Sequence, residues 1–225
     1  MSAGIKINSS SGAVMIDASY SNIALIEKVV IPSSKRVAYL IGNNFFTHIT
    51  KVKNPIVVFP LGTIVYGVSA SFPNKDGTTT IKAATRGDNT LTMYIFGTPD
   101  EVPSSGPALR IYSDIDGRKV FDSRLKYLKV IGELTKGMNV PNNATWGWLM
   151  RERQLQSSVQ ITSPGSNASG YHLLMLNSWY IHQGKIEDNY IAVQGDYYSR
   201  LSDVPYYNMD RIRGVKPLLI NLGNL

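Results

Sequence analysis

Three histidines, His48, His172 and His182, are the only imidazoles in the chain. His172 and His182 lie ten apart and could share a metal, but their apolar surroundings fit hydrogen-bonded structural histidines better. The run Asp114-x-Asp116-Gly117 has the look of a calcium loop. An EF-hand puts its glycine sixth and a glutamate twelfth; here the glycine is fourth and the twelfth residue is Leu125. An Asp-Gly hairpin turn accounts for the run instead. Glu187, Asp188 and Asp196 could supply the paired carboxylates of a glycoside hydrolase, yet nothing around them signals a cleft. No His-Glu-x-x-His, Gly-x-Ser-x-Gly or glycine-rich phosphate loop occurs. The chain has no cysteine, which rules out disulfides and thiolate metal ligands. The expectation is a non-enzyme without metal or cofactor.

The aromatic and basic residues offer a different chemistry. Trp146, Trp148 and Trp179, the pairs Tyr197-Tyr198 and Tyr206-Tyr207, and Arg211 and Arg213 belong to the residue types enriched where proteins meet one another. They are the candidate interface or receptor contacts, with ordinary core and strand surface as the competing reading. Five tyrosines fall between Tyr190 and Tyr207, in a polar-aromatic stretch without strong periodicity, which reads as a loop that orders against another subunit. The formal charge is +7, divided as +3 over residues 1–105 (nine Lys/Arg, six Asp/Glu) and +4 over 106–225 (fourteen, ten). A nucleic-acid binder concentrates such charge, so no nucleic-acid partner is expected.

The elements that must position these residues are strands. The composition is rich in Thr, Ser, Gly, Asn, Val, Ile and Tyr, with 43% hydrophobic and 17% charged residues in 225. Short apolar runs at Val37–Ile41, Ile56–Phe59, Ile64–Ala70 and Thr78–Ala83 are separated by Pro, Gly and Asn turn signals. "LTMYIFGTP" alternates Leu91, Met93 and Ile95 against Thr92, Tyr94 and Phe96. Tyr171–Gly184 predicts one or two buried strands. Ala144–Gln156 is the best helix candidate. No apolar run approaches the roughly 20 residues of a membrane span, and the N-terminus lacks a signal-peptide pattern.

One pattern occurs twice. Ile5 and Ile7, a polar turn ending at Gly12, then Val14-Met15-Ile16 and Asp17 match Leu109 and Ile111, a turn ending at Gly117, then Val120-Phe121 and Asp122. Each aspartate stands five residues after its glycine, and each unit has the form of a β-hairpin. Residues 101–107, with two prolines, two serines and a glycine, read as a linker. The expectation is therefore an all-β protein of two tandem β-sandwich domains, 1–100 and 108–225, the second with a tyrosine-rich insertion around 144–214.

"GIKINSSSGAVMIDAS" with the domain ending in "TLTMYIFGTP" resembles a family of short, largely uncharacterised tail-tip and tail-fibre-associated proteins of long-tailed bacteriophages. Members begin with a glycine-apolar-x-apolar hairpin whose return strand ends in Asp-Ser. The match is strongest over residues 4–100 and extends to 108–134; Asp122-Ser123 fits the pattern, whereas the first copy has Asp17-Ala18-Ser19. The resemblance implies a structural virion protein of the tail, made in the bacterial host cytoplasm. It would be assembled as a trimer or ring with other tail proteins, acting in tail assembly and host attachment. It brings no catalytic residues. A carbohydrate- or receptor-binding module touching host glycan, and a capsid decoration protein, are the alternatives.

Overall fold

A computed structural model describes residues 6–8, 14–17, 22–40, 42–140, 145–149, 155–163, 169–198 and 217–223. The protein is all-β, as its composition leads one to expect: among the described residues the only helical turns are the 3-10 turns Ser33–Lys35 and Pro99–Glu101. Among the described residues no helix is long and apolar enough to cross a membrane.

The central sheet has six strands: β3 (Ala24–Ile31), β6 (Ile56–Pro60), β9 (Leu91–Gly97), β12 (Val130–Glu133), β13 (Trp146–Leu149) and β17 (Leu218–Asn221), in the order β12-β17-β13-β6-β9-β3. All its described pairings are antiparallel. One run of chain joins its two edges. Residues 126–128 pair with the start of β3, where Leu25 N donates to Lys126 O at 2.7 Å and Leu128 N to Ile23 O at 2.8 Å. The same run continues into β12, which pairs with β17. The sheet thus closes on itself around Val58, Tyr94, Phe96, Ile220, Leu25 and Leu128.

Its other face packs on a second antiparallel sheet, β4 (Ala38–Leu40), β5 (Asn43–Thr50), β8 (Thr79–Arg86) and β7 (Tyr66–Pro73), neighbours in that order. Phe59, Met93, Ile95, Trp148 and Leu219 meet Phe46, Tyr66, Ile81 and Ala83 there. Phe59 stacks on Tyr66 with ring centroids 5.5 Å apart and leans against Trp148 at 5.4 Å. Both faces of β9 are buried, Met93 and Ile95 toward the second sheet and Tyr94 and Phe96 toward the closed interior. A strand packed on both sides carries apolar residues at successive positions rather than alternating.

Gly147 marks how tightly the interior is filled. A Cβ there would lie 2.7 Å from Leu222 Cδ1, 2.8 Å from Val58 Cγ1 and 2.9 Å from the Phe59 carbonyl oxygen. Gly147→Ala is therefore expected to cost about 2–3 kcal/mol by overpacking, read as a drop in Tm of roughly 4–12 °C for a chain of this size. A Tm unchanged in thermal unfolding would show that the interior has room to spare.

A third sheet is formed by β14 (Leu155–Ser163), β15 (Ser169–His182) and β16 (Lys185–Tyr198). Gln183 and Gly184 turn β15 into β16 with φ of +49° and +76°, the two successive positive values that a tight hairpin turn requires. The turn end is fastened to the body: Ile181 N donates to Gly62 O at 2.7 Å, and Gly137 N to Ile186 O at 2.7 Å. Trp179 and Ile186 enter the core between the two sheets.

These sheets correct three expectations. The division into 1–100 and 108–225 does not follow the hydrogen bonding. β3, β6 and β9 from the first part share one sheet and one core with β12, β13 and β17 from the second, because the long apolar strands of each part need the other's to cover them. The helix expected over Ala144–Gln156 is replaced where described by β13 and the start of β14, since Trp146-Gly147-Trp148-Leu149 suits a pleated strand buried on both sides. The tyrosine-rich stretch expected as a loop is strand as far as Tyr198; residues 199–216 lie outside the described residues.

Candidate interaction site

The repeated pattern seen in the sequence folds as two hairpins with one register. In β1 (Lys6–Asn8) and β2 (Val14–Asp17), Lys6 pairs with Asp17, Ile7 with Ile16 and Asn8 with Val14. In β10 (Arg110–Tyr112) and β11 (Lys119–Asp122), Arg110 pairs with Asp122, Ile111 with Phe121 and Tyr112 with Lys119. Both slip by one residue at the same step, opposite Met15 and Val120. Each sets a basic residue of the first strand opposite the aspartate that ends the second.

In the second hairpin that aspartate is the centre of a charged knot. The Asp122 side chain is fully covered. Its carboxylate accepts from Arg124 Nη2 at 2.6 Å and Nε at 3.0 Å, and from Arg110 Nε at 3.2 Å. Lys119 Nζ, itself 2% exposed, stands 3.8 Å away. Hydrogen bonds from Arg124 above all, and from Arg110, hold the carboxyl well below the usual carboxylate range against a burial that would raise it. The Tyr127 hydroxyl closes the knot, accepting from Asp122 N at 2.6 Å and donating to Asp122 O at 3.0 Å. The next residue contributes too, because the Ser123 hydroxyl accepts from Leu109 N at 3.1 Å.

The surplus cations are spent on the segment expected to be a linker. Lys119 Nζ donates to Val102 O at 2.7 Å and Ser104 Oγ at 3.1 Å, and Arg110 Nη2 donates to Ser105 O at 2.8 Å and Gly106 O at 2.6 Å. On the other side the Glu101 carboxylate accepts from Lys53 N at 2.9 Å and from Thr98 N at 2.9 Å. Residues 101–107 are thus built in, tying the hairpin to the central sheet.

So supported, the hairpin carries a firm tip. Gly117, at φ +71°, lets the turn close, with Gly117 N donating to Ser113 O at 3.0 Å. The Ser113 hydroxyl accepts from Ile115 N at 3.2 Å, and the Asp116 carboxylate pairs with Arg118 at 3.2 Å. The Asp-Gly run is a hairpin turn. At its end Ile115 is 82% exposed, with Leu109 and Tyr112 exposed at the hairpin's base and flank.

The residues singled out from sequence fall elsewhere. Trp148 and Trp179 are core residues, so neither presents a ring to a sugar or a subunit; this corrects their reading as contacts. Trp146 packs half-buried against the same core. Tyr197 and Tyr198 end β16, opposite Tyr171 and Gly170. Tyr206, Tyr207, Arg211 and Arg213 lie outside the described residues. Glu187 and Asp188 both bind Lys136 Nζ, at 3.3 and 2.7 Å, and so serve as an ion-pair site. His48 Nε2 and the Thr50 hydroxyl each bond to the Glu27 carboxylate, which the two side chains share. The knot around Asp122 was missed, although one signal was in view: aligned on their opening apolar pairs, Ile5/Ile7 and Leu109/Ile111, both repeats place a basic residue, Lys6 or Arg110, between the two.

The fold defines the class: an all-β protein of packed antiparallel sheets carrying a twice-used bulged hairpin. Compared with protein-family models, curated proteins and solved structures, the chain matches none.

Proposed function

We propose that the chain is a structural virion protein of a tailed bacteriophage, part of the tail tip, baseplate or fibre apparatus. It acts there in tail assembly and host attachment, joined in a trimer or ring and to neighbouring tail proteins. The observation that carries this reading is the hairpin pair. The pattern on which the resemblance rests is used twice in one register, and its second copy is clamped so that Ile115 stands on a stiff support. A tip already held in shape loses little conformational entropy on docking. Closed rotational assemblies need such patches, repeated identically on each subunit.

Gold-labelled antibody against the chain, viewed on purified particles, tests the placement. Label on tails supports it; label on heads alone would make this a capsid decoration protein, and bare particles would end the virion reading. Ile115→Asp tests the contact. An exposed side chain costs within about 0.5 kcal/mol when replaced, so Tm should hold while incorporation into particles falls roughly tenfold, the equivalent of about 1.4 kcal/mol. Undiminished incorporation would exclude the tip from assembly.

A further inference from the structure

The outer face of the four-stranded sheet is divided in two. One half is covered by the chain itself: Val65 and the partly buried Tyr180 of the long hairpin pack over Phe45 and Ala84. The other half presents exposed apolar side chains. Ile49 on β5 and Phe72 on β7 both stand directly opposite Thr80 on the strand between them. They therefore share a face, about 10 Å apart by the strand spacing, and they are 61% and 49% exposed. Thr80 is fixed beneath them by Asn74 Nδ2 at 2.9 Å. Large apolar side chains in line on the open face of a well-paired sheet mark a contact surface.

The rim of this surface is basic. Lys82 lies over the Phe72 ring at 5.7 Å. Lys51 follows two residues after Ile49, and Lys75 sits in the turn after Phe72; both are exposed. The neighbouring acid, Asp76, is turned onto its own loop, accepting from Thr78 N at 3.0 Å and Thr78 Oγ1 at 2.7 Å. A second copy of this face would set lysines against lysines, and like charges juxtaposed across an interface cost several kcal/mol.

We infer that this half-face docks a protein partner other than a second copy, one whose apolar contact strip is edged with carboxylates. The inference deepens the assembly reading and rests on it for the partner's setting, but its test does not. The probe is a labelled, strand-length peptide in which leucine alternates with glutamate, titrated against the full chain by fluorescence anisotropy. Its leucine-lysine counterpart is the control and heparin the competitor. The glutamate peptide should bind and the lysine peptide should not. Ile49→Ser with Phe72→Ser should weaken binding roughly tenfold, and Lys51→Glu with Lys75→Glu by a similar factor. Raising salt from about 0.1 M to about 1 M, which shortens screening from ~10 Å to ~3 Å, should weaken it further. Absence of binding, equal binding of both peptides, indifference to the Ile49/Phe72 pair, or displacement by heparin as effective as by unlabelled peptide would each overturn the proposal. The last two would reveal a plain polyanion patch. Failure of the tail label would remove the particle setting and leave the peptide result standing.

Discussion

Asp122→Ala is expected to loosen the second hairpin and the 99–106 segment together. The carboxylate holds Arg110, Arg124 and Lys119 in one place. Removing it leaves three cations crowded around a hole, one of them 2% exposed. Breaking a buried pair from one side typically costs 3–5 kcal/mol. The arginines reach partly into solvent, so about 2–3 kcal/mol is the fitting figure, or roughly 4–12 °C in Tm. Asp122→Asn keeps the shape but not the charge, and should recover little of this. Hydrogen exchange gives the sharper readout, because the amides of Ser113 and Asp122 should lose protection before those of β9. Protection retained there would mean that the hairpin is held by its turn and not by the knot. The same carboxylate sets a pH dependence. Its folded-state pKa lies below the value of about 3.9 for a free aspartate. Its contribution is therefore complete above about pH 5 and is lost as pH falls below about 4 toward the folded value. Acid should loosen the hairpin in the parent chain and do less there in Asp122→Ala, where the Asp116 carboxyl at the tip, held low by its hydrogen bond with Ser113, is the remaining acid-sensitive group.

Trp148→Ala is expected to be the most damaging substitution of the three tryptophans. Its ring is 1% exposed and touches Phe59, which in turn stacks on Tyr66 of the facing sheet. Deleting a buried tryptophan costs about 3–5 kcal/mol through lost burial and the cavity left behind, a fall in Tm of roughly 6–20 °C. Trp148→Phe keeps a ring against Phe59 and gives up an indole N–H that finds no acceptor among the described residues, so it should cost clearly less. Equal stability of the Trp148→Ala and parent chains in denaturant unfolding would return this tryptophan to the surface role expected from sequence.

The hairpins were legible because everything that makes them is local. The Asp-Gly turn, the flanking alternation and the return aspartate all fall within sixteen residues in the second copy, from Leu109 to Arg124. The strands at Ile56–Pro60 and Tyr66–Pro73 were legible for the same reason. β5 was hidden because Asn43-Asn44, read as a turn signal, opens a strand in which Asn44 is fully buried and bonded to Asp88 at 3.2 Å. The charged knot was half visible: the Arg110–Asp122 pairing follows from hairpin register, but the carbonyls of Val102, Ser105 and Gly106 become its partners only when the linker folds back.

Taken alone, the order of residues determined the all-β class, the twice-used hairpin and a chemistry without thiols. Those depend on side-chain period and turn geometry, which act between near neighbours. Tertiary structure decided that strands from both parts of the chain form one closed sheet, that Trp148 and Trp179 lie inside, and that Ile49, Phe72 and Ile115 lie outside. The physical reason is that strand pairing uses backbone N–H and C=O groups nearly every residue owns, so partners cannot be chosen by residue type alone. Whether an apolar side chain ends up buried then depends on what the rest of the chain lays over it.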